Sequence, residues 1–205
     1  MTDHVTSALD RGPENRFMTS SPDTVRAHAA ATFDIDSRLP AQVFHELADE
    51  AVFFEFDLLL TPDAWPALAA MARLHGDRQV DLLVIEGAYV SGRALSFSIE
   101  ATPDDYWAEV GFDSGREALE SITIAAQTVA LTGSSGRWGI WAERDPEIAV
   151  VRGFPDATAR REWISRYGPC VDIADAMASW MRLAFRDARV PDEYAARLVA
   201  NYGTG

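Results

Sequence analysis

Arg137-Trp138-Gly139-Ile140-Trp141-Ala142-Glu143-Arg144-Asp145-Pro146-Glu147-Ile148-Ala149-Val150-Val151-Arg152 is the stretch that decides the fold. Two short apolar runs, 137–142 and 147–152, flank a charged turn, and Pro146 holds Asp145 in the extended backbone that suits such a turn. Strands this close in sequence pair antiparallel, since a parallel pair needs a long crossover. Trp138 and Trp141 lie three apart, so on a strand they point to opposite faces. They cannot form one stacking platform, and each reads as a core residue on its own side.

Working upstream, Val52, Phe54, Phe56, Leu58 and Leu60 alternate with Phe53, Glu55, Asp57 and Leu59, which predicts a strand over 52–60. Val80 to Ile85, apolar except for Asp81, and the alternating Leu95, Phe97 and Ile99 predict two more, joined by a hairpin at Ser91-Gly92. Tyr106 to Phe112 reads as a further strand. Thr61-Pro62-Asp63 starts a helix with Asp63 as cap and Pro66 in the first turn, where no amide partner is owed. Trp65, Leu68, Ala69 and Ala72 line its buried face, and His75-Gly76 ends it. Ser114-Gly115-Arg116-Glu117 has capping-box spacing, and Leu119, Ile122, Ala126 and Val129 then fall on one helical face. That helix is expected to end in a flexible Gly133-Ser134-Ser135-Gly136 loop.

Asp23 predicts a short helix through Ala31, and Pro40 opens a second carrying Val43, Phe44 and Leu47. Beyond Gly153 only helices are expected. Asp156 caps one that ends at Gly168-Pro169. Ile173, Met177, Trp180, Met181 and Ala184 mark another, with Asp172 and Asp175 early and Arg182 and Arg186 late, and Tyr194, Leu198 and Tyr202 mark the last. The order of elements predicts an α+β fold, a largely antiparallel sheet with helices packed on one face and a C-terminal helical unit. Residues 1–22 read as a poorly packed tail within which Met18 is an alternative start, 23–153 as the core domain and 154–205 as the helical unit.

The chain of 205 residues carries a net charge of −14, and its 18 basic residues are all arginine. The charge is uneven. Residues 1–150 hold 25 acidic residues against 10 arginines, while residues 151–205 hold 7 against 8. Such a body repels a phosphate backbone and attracts a basic protein. The absence of lysine removes Schiff-base and Walker-type chemistry and, with the abundance of alanine, points to a GC-rich bacterial genome. A single cysteine, no signal-peptide pattern and no apolar run of about 20 residues suit a reducing cytoplasm and no membrane span.

The candidate partner-binding residues are Glu143, Arg144, Asp145 and Glu147 at the hairpin, with Asp104 and Asp105. Glu143, Asp145 and Glu147 lack the glycine and ligand series of a calcium loop, and Arg144 stands among them. His45-Glu46 is not a zinc motif, because Asp49 stands where the second histidine belongs, and His4, His28, His45 and His75 are scattered, so neither metal nor cofactor is expected. Cys170 follows Pro169 at the expected start of a helix, where the dipole favours a thiolate, but no histidine lies near it in sequence to serve as its base. The composition therefore favours a non-enzymatic acidic protein that engages a basic protein partner, as a toxin immunity or inhibitor protein or an assembly adaptor does. The alternative is a small hydrolase using carboxylates around Glu143 and Asp145, with Glu100 or Asp105.

Overall fold

A computed structural model describes residues 19–46, 50–111 and 120–203. Six strands form one sheet: β1 (Val52–Phe54), β2 (Gln79–Gly87), β3 (Ala94–Ser98), β4 (Ala126–Thr132), β5 (Gly139–Glu143) and β6 (Ile148–Arg152). Their order is β1-β6-β5-β4-β2-β3, and every neighbouring pair is antiparallel. The 137–152 stretch is a hairpin in which Trp141 faces Val150 and Glu143 faces Ile148. The α+β class with an antiparallel sheet is the class the chain adopts.

Helices cover both faces of the sheet, which goes beyond the single helical layer expected. One face packs Trp138, Ile140, Val80 and Leu82 against α2 (Phe56–Leu59), α3 (Trp65–Leu74), α4 (Pro103–Val110), α5 (Ile122–Ala125) and α6 (Ala157–Tyr167). The other packs Trp141, Phe53, Leu83 and Val150 against α1 (Pro22–Thr32), α7 (Ile173–Ala178) and α8 (Asp192–Tyr202). The two tryptophans are fully buried on opposite sides, as their spacing requires. The C-terminal helices are divided between the faces, α6 on one and α7 and α8 on the other. Val171 exchanges two backbone hydrogen bonds of 2.9 Å with Phe53, so the stretch before α7 covers the outer edge of β1.

This double coverage explains where the sequence misleads. The alternation over 52–60 yields only a three-residue strand, after which Phe56, Leu59 and Leu60 are buried at helical spacing while Asp57 and Leu58 are exposed. The helix expected through Ala126 and Val129 is in fact the four-residue α5 followed by β4, in which every residue except Gln127 is buried. A strand covered on both faces loses its alternation and reads like a helix core. The Ser114–Glu117 box and Leu119 lie outside the described residues.

Over 106–110 the expected strand is helix α4 instead, capped by Thr102 with Pro103 in its first turn and burying Tyr106 and Val110 four apart, and Phe112 lies outside the described residues. Among the described residues 41–46 no helix forms after Pro40, and Leu47 lies outside the described residues. The segment folds back on α1's end, with Asp34 N–H donating to the Val43 carbonyl and His45 N–H to that of Thr32. Ser21 rather than Asp23 caps α1, and Asp63 sits inside a 3-10 turn, Pro62–Ala64, that leads into α3. The expected long middle helix ends at Ser179 and continues as two 3-10 turns, Met181–Ala184 and Arg186–Ala188, so Arg182 and Arg186 are not in its last turn. At the boundary of the expected tail, Thr19 N–H donates to the Ser96 carbonyl of β3, so residues 19–22 are tied to the sheet.

Candidate functional site

The site grows from the end of the sheet where β2 leaves, β4 enters and the β5–β6 hairpin turns. Arg144 ties these together. Its backbone N–H donates to the Gln127 carbonyl (2.8 Å), and its guanidinium donates to the carbonyls of Ala126 (2.9 Å) and Thr123 (2.6 Å) and to Asp57 Oδ1 (2.9 Å). Asp57 N–H in turn donates to Glu147 Oε1 at 3.0 Å. Beside them, Glu143 Oε1 accepts from Trp141 Nε1 (2.7 Å) and from Leu39 N–H (2.8 Å), and Arg38 pairs with Glu86 at 3.4 Å. Glu55, Asp57, Glu86, Glu143, Asp145 and Glu147 therefore share one end of the molecule with Arg38 and Arg144.

The hairpin residues differ in kind. Asp145 is exposed at the tip, Glu147 is half-buried, and Glu143 is only 6% exposed. Burial pushes the Glu143 carboxyl above the usual glutamate range, against the opposing effect of its two hydrogen bonds and of Arg38, while Glu86 pushes it further up. Glu147 is raised by burial too, against the hydrogen bond from Asp57 N–H and the charge of Arg144, while the carboxylates of Asp57 and Glu55 push it further up. Of the candidate partner-binding residues, Asp145 thus stands in solvent at the tip, whereas Glu143 is buried in the fold. Reversing the charge of Glu143 would break the core rather than probe a surface.

Asp104 and Asp105 belong to another place, the first turn of α4. Asp104 is exposed, and Asp105 closes a capping box, accepting from Thr102 N–H (2.8 Å) and Thr102 Oγ1 (2.6 Å). Among the described residues no hydrogen bond or ion pair joins them to the hairpin. Glu100 is exposed at the end of β3's hairpin arm and is likewise not joined to it.

Sequence reasoning missed the apolar part of this end. Ala88 N–H donates to the Ala125 carbonyl at 3.1 Å, and next to these two residues in sequence lie Tyr89, 82% exposed, and Ile124, 44% exposed. Tyr89 has φ of 63°, a left-handed conformation uncommon for a residue with a side chain. An aromatic residue between Gly87 and Gly92, inside a hairpin turn, was the signal available in the sequence.

The remaining chemistry-bearing groups serve the scaffold. Asp77, buried, accepts from Ser134 Oγ (3.0 Å), Ser135 N–H (2.8 Å), Ser135 Oγ (2.8 Å) and Trp138 Nε1 (2.9 Å). A Cβ on Gly133 would collide with that carboxylate, so the Gly133–Gly136 loop is pinned, not flexible. His28 Nδ1 lies 2.5 Å from the buried Asp81 Oδ2 and joins α1 to β2. Cys170 precedes α7, whose cap is Asp172, and burial pushes its thiol up to about 11. Burial thus outweighs the helix-start effect that would favour a thiolate. Among the described residues no group of three or more His, Cys, Asp or Glu is placed to hold a metal ion, and no helix is long and apolar enough to cross a membrane. No family model, curated protein or solved structure matches the chain.

Proposed function

We propose that this chain is a non-enzymatic binding protein of a GC-rich bacterial cytoplasm whose acidic sheet end engages a basic protein partner. Its role is that of a toxin immunity or inhibitor protein, or of an adaptor in an assembly. The observation that carries the reading is the pairing of two features at one end: exposed Tyr89 and Ile124, and the carboxylates of Glu55, Asp57, Glu86, Asp145 and Glu147. An exposed aromatic supplies the desolvated anchor that dominates binding energy, and the surrounding charge steers encounter and selects a positively charged partner. The same charge disfavours a phosphate backbone.

The test is affinity capture with the full chain at 0.1 M and 1 M salt, beside Tyr89→Ala and Asp145→Arg, followed by titration of the identified protein. The reading expects a basic partner that is held at low salt, released at high salt and lost with Tyr89→Ala. An acidic partner, or capture that both variants and high salt leave unchanged, would refute it.

A further inference from the structure

Adjoining the acidic end, with which it shares α2, a cleft of about 300 Å³ opens between α2, the Pro62–Ala64 turn, α3 and the end of α6. Phe54 and Ile140 of the sheet form its floor, and Leu59, Leu68, Trp163 and Tyr167 its walls. Cys170 lines it as well, and its thiol, pushed up to about 11 by burial, is a neutral, weakly polar wall at physiological pH.

Two of the polar atoms among the lining residues are already engaged. Trp163 Nε1 donates to the Ala67 carbonyl at 3.1 Å, and Thr61 Oγ1 to that of Leu58 at 2.8 Å. The charged residue of the lining is Asp63, itself exposed, which places it at the mouth. Arg73 and Arg166 line a separate groove shared with Trp163 and Tyr167 and do not line this cleft.

We propose that the cleft binds a small, largely apolar molecule, aromatic or branched, whose single polar end is positively charged and meets Asp63. The volume matches the lower end of ligand sites, about 300–1,000 Å³, and holds a ring with a short chain. An apolar lining rewards the ring, while one carboxylate at the mouth with no lining cation favours an ammonium group and disfavours a carboxylate. This inference does not depend on the basic-partner reading.

Phenethylamine, 2-phenylethanol and phenylacetate share one shape and differ in charge, so they serve as probes on the full folded chain. Amide chemical-shift titration should show saturable binding, with the amine about three- to fivefold tighter than the acid, as expected for a partly solvated charge pair. The amine should also slow modification of Cys170 by a thiol reagent. Asp63→Asn should erase the preference for the amine and keep 2-phenylethanol binding, whereas Ala67→Leu, on the half-buried wall of α3, should abolish binding of all three. If Ala67→Leu does not fold, Ala64→Leu fills the same cleft from the neighbouring turn. Absence of saturable binding by every probe, equal affinity for amine and acid, or binding that survives a folded cleft-filling variant would overturn the proposal.

Discussion

The two ends of the sheet use carboxylates in opposite ways. At the end where β4 finishes and β5 begins, Asp77 is buried and accepts hydrogen bonds from Ser134, Ser135 and Trp138, so its charge is satisfied within the fold. At the other end Glu143 is buried with donors on one oxygen, and Asp145, Glu86 and Glu55 remain exposed, as do Tyr89 and Ile124. A carboxylate whose lone pairs are filled by its own chain organises a loop; carboxylates left at the surface keep their field for another molecule. The first end is scaffold, and the second is the end we propose for a partner.

The sharpest way to break this contrast is at the saturated end. Asp77→Ala should cost about 3–5 kcal/mol in denaturant unfolding, because it strands several buried donors at once. Trp138→Ala and Trp141→Ala should each cost a similar 3–5 kcal/mol, since both rings are fully buried on opposite sides of the sheet. A variant of Asp77 that melts like the wild type would remove the distinction between the two ends.

Tyr89→Ala should behave in the reverse manner. With its side chain in solvent, it should change stability by less than about 0.5 kcal/mol, while weakening partner binding tenfold or more. Calorimetric unfolding and a binding titration on the same sample separate the two effects. A large loss of stability with binding intact would make Tyr89 part of the scaffold.

A smaller effect sharpens the position of Glu143 between the two classes. Its carboxyl is raised chiefly by burial, so the folded chain holds that proton at pH values where the unfolded chain has released it. Stability contributed by the protonated group is therefore lost as pH rises upward from the ordinary glutamate value through the raised one. Glu147 shifts in the same direction. Melting temperature measured from about pH 4 to pH 7 should fall less steeply in Glu143→Gln than in the wild type, and still less in the double variant with Glu147→Gln. Parallel curves for wild type and variants would place both groups in ordinary solvated surroundings.

How much of this was legible depends on which faces a segment shows to solvent. The β5–β6 hairpin was readable because turn chemistry at Asp145-Pro146 marks it and because the spacing of Trp138 and Trp141 fixes their sides. Strand β4 was not, since both its faces are covered and only Gln127 is exposed, which erases the period of two. In α4, Thr102-Pro103 with Asp105 was a readable cap, but the aromatic residues that follow carry strong strand propensity and won the reading. Asp145 was placed correctly at a surface turn; the burial of Glu143 was not foreseeable, because the groups that hold it, Trp141 on its own strand and Leu39 N–H more than a hundred residues upstream, meet it only in the fold. Tyr89 carries no periodic signal, since it stands in a turn with left-handed backbone and not within a strand.

If the acidic end finds a basic partner through its field, as proposed, the association rate measures that most directly. Stopped-flow mixing of the full chain with its purified partner, across ionic strengths, should show a rate that falls steeply as the Debye length shrinks from about 10 Å at 0.1 M salt to 3 Å at 1 M. Asp145→Arg should lower the rate at low salt and flatten the dependence, leaving stability within about 0.5 kcal/mol of the wild type. A rate indifferent to salt, or one that rises with it, would contradict the account.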